Sequence, residues 1–146
     1  MQTRKEIAYA LLRVTMGVLF LFFGIGKFTM GVGNFAASME QSFAGKLPSF
    51  LLVPFSYLLP FAEVAIGLLL VLGLLTVAGL MLAALLMIAL TFGVVLQGQA
   101  ATVANNTLYA LIIFILLWFA DFNRFSLDRL LGIKWMTALA PDRETL

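Results

Sequence analysis

The chain contains no cysteine and no histidine. That excludes structural disulfides, thiol redox chemistry and Cys/His zinc sites. It also removes the usual His or Cys ligands of haem and iron–sulfur centres. A redox role would therefore use a bound quinone, a flavin or a partner's cofactor, and no metal site or covalent cofactor is expected. A hydrolase triad cannot be assembled without His or Cys, and no Ser–Lys pair stands out. Charge is scarce too. Only 11% of the 146 residues are charged, against roughly 25% in a soluble domain. The net charge is +2, so the basic pI reflects few charges rather than a basic face, and nucleic acid is not an expected partner. Gly24-x-Gly26 and Gly31-x-Gly33 flank a membrane exit rather than a strand-to-helix turn, so they make no dinucleotide fingerprint.

Apolar surface is abundant. Hydrophobic residues make up 63% of the chain, and the mean hydropathy is +1.09. This composition predicts an integral membrane protein with one domain over 1–146. A span needs about 20 apolar residues to cross a core of about 30 Å. Four stretches qualify, at about 7–28, 54–75, 76–96 and 103–120. The second and third are almost continuous, and only the Gly73–Thr76 stretch with Gly79 offers a break. Arg4 and Lys5 resemble a signal-peptide n-region. Arg13 interrupts the apolar run and no cleavage site follows, so the first run is read as a retained span.

Lys and Arg set the orientation. Arg4 and Lys5 precede the first span, and Arg124, Arg129, Lys134 and Arg143 follow the last. The opposite side carries only Lys27 and Lys46, and the 97–106 loop has no charge. Both termini are predicted to be cytoplasmic. Tyr57 and Tyr109 are placed near the outer interface, and Trp118 near the inner one. In the long outer loop, Phe35, Met39 and Phe43 recur at spacing four, which predicts an amphipathic helix capped by Asn34, ended by Gly45 and lying in the interface. After the last span, Ser126 as N-cap and Gly132 as stop predict a short cytoplasmic C-terminal helix, with Asp128 favouring its dipole. The fold class is an all-α four-transmembrane-helix bundle. The tail from Met136 has mixed polarity.

Two charges lie deep in the apolar runs, Arg13 in the first and Glu63 in the second. An ionised group at the bilayer centre costs several kcal/mol, so it pairs, faces the bundle interior or handles a ligand. At helical spacing Arg13, Gly17, Phe20, Gly24 and Lys27 share one face, and Glu63, Gly67, Leu70 and Leu74 share another. The glycines admit a closely packed neighbouring helix. By height Glu63 lies about 10 Å from either cation, so its partner is either Arg13 or Lys27. Two cations against one carboxylate leave a positive excess suited to an anionic or carbonyl-bearing ligand. Lys27, nearest the aqueous mouth, is expected to have a small structural role. Asn105 and Asn106 open the fourth span. The candidate ligand-binding residues are Arg13, Lys27, Glu63 and Asn106. A buried pair can equally fix helix register, and the two asparagines can serve as caps.

Residues 12–28 (LRVTMGVLFLFFGIGKF), 60–76 (PFAEVAIGLLLVLGLLT) and 124–131 (RFSLDRLL) resemble, in order and spacing, the motifs of the DoxX family. That resemblance implies a four-helix inner-membrane protein of bacterial type, related to a membrane subunit linked to thiosulfate:quinone oxidoreduction. The family's recurrent Arg, Lys and Glu map onto Arg13, Lys27 and Glu63. The expected function is an accessory, non-catalytic subunit of a membrane redox system that binds a quinone-like or lipophilic ligand. Its expected surroundings are the lipid bilayer, a redox partner or larger complex, or a second copy. The alternatives are an assembly subunit and a small anion or metabolite transporter. The transporter is disfavoured because no inverted repeat with broken helices is present.

Overall fold

The computed structural model describes residues 2–133, and these are helical apart from short connections. The helices are α1 (Gln2–Met30), α2 (Val32–Ser42), α3 (Ser49–Leu72), α4 (Thr76–Gln97), α5 (Ala100–Trp118) and α6 (Leu127–Leu130), with a 3-10 turn at Ala120–Phe122. Helices α1, α3, α4 and α5 are long and apolar enough to cross a membrane. Lys134, Arg143 and the tail from Met136 lie outside the described residues.

The helix limits differ from the sequence prediction where proline and turn chemistry intervene. Helix α3 begins at Ser49, well before Pro54, because Pro48 takes the extended N-cap position. Pro54 and Pro60 then lie inside the helix, which neighbouring helices make tolerable within a membrane. Helix α5 starts at Ala100 and stops at Trp118, and the chain tightens into the 3-10 turn. Helix α2 starts at Val32 after Gly31, not at Asn34. Asn34 is inside that helix, and its side-chain amide donates back to Met30 O at 3.1 Å.

Helices α1 and α3 pack most closely, and glycine is the reason. A Cβ on Gly67 would strike the backbone of Leu21, and one on Gly24 would strike Pro60 O and Val64 N. A Cβ on Gly17 would strike Val71 N. The two backbones therefore touch along the predicted small-residue faces, the usual route to close contact between helices in lipid. Met16, Phe20, Ile66, Leu70, Leu80, Ala83, Met87, Ile113 and Leu116 fill the core between α1, α3, α4 and α5.

The α3–α4 hairpin turns in three residues. Gly73 has φ 65° and Leu75 has φ 47°, both left-handed. Leu75 is strained there because an L side chain crowds the following carbonyl. Asp128 offsets the strain: its carboxylate accepts from the backbone N–H groups of Leu75 and Thr76, and its own N–H donates to Gly73 O at 3.0 Å. Asp128 lies in the first turn of α6 as predicted, yet its carboxylate caps α4. Ser126 holds the α6 N-cap position, but its hydroxyl donates to Asn123 O.

Candidate functional site

The two buried charges do not meet. Arg13 and Lys27 share a face of α1, but fourteen residues of helix separate them by about 21 Å. Each serves one end of the bundle.

At the end that carries α6, Arg13 is almost fully buried and, among the described residues, bonded only to neutral groups. Its guanidinium donates to Asn123 Oδ1 and to Phe125 O, and its Nε–H has no partner among the described residues. Asn123 passes the connection on, donating to Thr76 Oγ1 at 2.9 Å. A Cβ on Gly73 would collide with the guanidinium. Arg13 thus ties α1 to the hairpin and to the segment after α5. An Arg13–Glu63 pair, open in the sequence, does not form. The rest of this end is held by Tyr9 donating to Leu116 O and by the Glu6–Arg124 pair at 3.1 Å.

At the other end Lys27 donates to both oxygens of Glu63, at 2.7 and 2.9 Å, and to Phe23 O at 3.3 Å. All three ammonium donors are used. The ring of Phe35 from α2 sits over the same ammonium, with its centroid 5.4 Å away. Glu63 is 2% exposed. The sequence reading gave Lys27 a small structural role. The structure corrects it, because Lys27 is the cation that, among the described residues, compensates the buried Glu63 carboxylate.

Glu63 also lines a cavity of about 220 Å³ enclosed by α1, α3, α4 and α5. Met16, Phe20 and Phe23 form one wall, Met87 and Leu90 another, and Thr102, Asn105, Asn106 and Tyr109 the third. Asn106 is 8% exposed. Its carboxamide makes no side-chain hydrogen bond among the described residues and opens onto the cavity instead of being sealed in the core. Of the four candidate residues, Glu63 and Asn106 line this cavity, Lys27 reaches it only through its bond to Glu63, and Arg13 does not reach it. The positive excess inferred from the sequence is therefore absent from the site: one cation meets one carboxylate.

Tyr109 belongs to the cavity as well, a role the sequence did not suggest. It lies midway along α5, edge-on to Phe23 with ring centroids 6.3 Å apart. Thr76 and Asn123 were missed at the other end. A polar residue placed just beyond a span is ambiguous in sequence, because solvent satisfies it as well as a partner would.

The cavity offers carboxamide N–H and hydroxyl donors opposite a carboxylate acceptor, with aromatic and thioether walls. Such a lining can hold a neutral, flat molecule with polar edges. A cavity of about 150 Å³ holds benzene, so this one has room for a substituted ring.

Residues 5–103 match the family model described as methylamine utilisation protein MauE. The match takes in Arg13, Lys27 and Glu63 and ends just before Asn105 and Asn106. No curated protein and no solved structure matches the chain. With more than half of its length under that model, this chain belongs to the MauE family of multi-pass membrane proteins.

Proposed function

We propose that the chain is an accessory membrane protein of a redox system and binds a quinone-like ligand in the cavity between Glu63 and Asn106. The family's printed tie to methylamine utilisation and the resemblance to the DoxX family both support a redox association. The observation that carries the ligand is Asn106, whose carboxamide opens onto the cavity and makes no side-chain hydrogen bond among the described residues. A quinone ring supplies carbonyl acceptors for the Asn106 amide and for the Tyr109 hydroxyl. Its reduced form supplies a hydroxyl donor for Glu63. Lys27 aims that carboxylate through its two-pronged bond, one cation against one carboxylate. The chain would sit in an inner membrane of bacterial type with both termini cytoplasmic, as the Lys/Arg asymmetry argues.

Native mass spectrometry with lipid extraction tests the reading. The purified protein is expected to retain a quinone, and Asn106→Leu to lose it without a fall in melting temperature. Quinone content unchanged by the substitution, or none in the parent, overturns the proposal. A stable larger complex without ligand would point to an assembly subunit instead.

A further inference from the structure

Next to the cavity runs a second, larger recess. Its volume is about 440 Å³, and it lies between α2 and the α3 and α4 helices, with Phe35, Met39 and Phe43 of α2 on one side and Phe55, Phe92 and Gly93 on the other. Two features join the recesses. Leu90 lines both. Lys27 lines the recess while its partner Glu63 lines the cavity. The Lys27–Glu63 pair is thus the wall between a compartment with polar edges and an apolar one.

Gly93 keeps the apolar compartment open. A Cβ there would meet the Phe43 ring at 3.2 Å, so any larger side chain extends into the space under α2. The α2 face that covers the recess is the one predicted from the spacing of Phe35, Met39 and Phe43. It turns toward α3 and α4, and Phe43 is buried.

We infer that the recess under α2 holds the long isoprenoid tail of the ligand whose head occupies the cavity, and that this ligand crosses Leu90 to fill both. The inference rests on the proposed function above and narrows its ligand to a membrane-dissolved, tailed molecule. The volume suits such a tail. It is about three times a cavity that holds benzene, on the order of three isoprene units. Within a bilayer a tail gains little by transfer, because lipid is as apolar as the recess. The head's hydrogen bonds must therefore place the tail, which is why the two compartments need a common wall. A soluble, tail-less molecule would leave the recess to lipid.

Photolabelling separates the two claims. Two farnesyl-tailed benzoquinone probes are used with the intact protein in lipid nanodiscs, one carrying a diazirine on the ring and one at the tail end. Labelled peptides are mapped by mass spectrometry. Tail labels are expected within 35–55 and 89–97, and ring labels within 102–109 and around Met87. Tail labels scattered over the exposed faces of α4 and α5 overturn the tail assignment while leaving the cavity intact. Ring labels that miss the cavity overturn the function on which it rests, and the tail assignment with it. Gly93→Leu supplies a second measurement. It is expected to lower tail labelling at least tenfold and to leave ring labelling by tail-less benzoquinone diazirine unchanged. Equal tail labelling in parent and variant counts against the recess.

Discussion

At the scale of single residues, Lys27 and Glu63 carry the sharpest energetic consequence. They lie 36 residues apart in sequence and form a two-pronged bond. Removing one member of a buried pair leaves an uncompensated charge and costs about 3–5 kcal/mol, whereas replacing both by apolar groups is often close to neutral. Lys27→Met is expected to destabilise by about 3 kcal/mol, the low end of that range, because its side chain keeps 20% exposure. Glu63→Leu alone should be comparable, and the double variant should regain most of the loss. Thermal melts of the four proteins in one detergent give the coupling. Additive losses would mean that the two charges do not stabilise one another. Arg13 behaves differently, because its partners are an amide and a carbonyl. Combining Arg13→Leu with Glu63→Leu should be additive, as for well-separated sites.

At the scale of elements, the two devices that set the helix arrangement are the glycine seam and the borrowed cap. Gly67 meets the backbone of Leu21, which cannot yield as a side chain can. Gly67→Ala is expected to cost at least about 1–3 kcal/mol by overpacking, and Gly26→Ala, with open space around it, to cost far less. Melting temperatures of the two variants make the comparison, and equal effects would dismiss the seam. Asp128 caps a helix 52 residues before it in the chain. Asp128→Ala should cost about 1–2 kcal/mol. Hydrogen exchange should show faster exchange at Leu75 and Thr76, and unaltered rates there would rule out the cap.

At the scale of the whole molecule, the bundle has two unlike ends. One is closed by the Arg13–Asn123–Thr76 chain of hydrogen bonds, and the other carries α2 over the recess and cavity. Residues 42 and 129 therefore lie at opposite ends. Ser42→Cys and Arg129→Cys, introduced singly into a chain without other cysteines, should react with an impermeant maleimide from opposite sides of sealed vesicles. The cytoplasmic side should reach Arg129→Cys. Labelling of both from one side would break the four-span topology, and exchange of the sides would reverse the orientation.

The sequence by itself determined the membrane class, the four spans and the glycine faces, because hydropathy and helical spacing are local properties. The spacing of Phe35, Met39 and Phe43 likewise marked the face of α2 that turns inward. It also exposed Arg13 and Glu63 as residues that need partners, since a charge among apolar neighbours is visible without coordinates, but it undervalued Lys27, which lies nearer the mouth. Only the tertiary structure decided who the partners are. Height along two helices left Glu63 midway between two cations, and the rotation of α1 against α3 then brought Lys27 onto it. The residues that satisfy Arg13 come from beyond the last span, more than a hundred positions away. The convergence of Glu63 with Asn106 and Tyr109 depends on how α3 and α5 pack, and no local pattern encodes that.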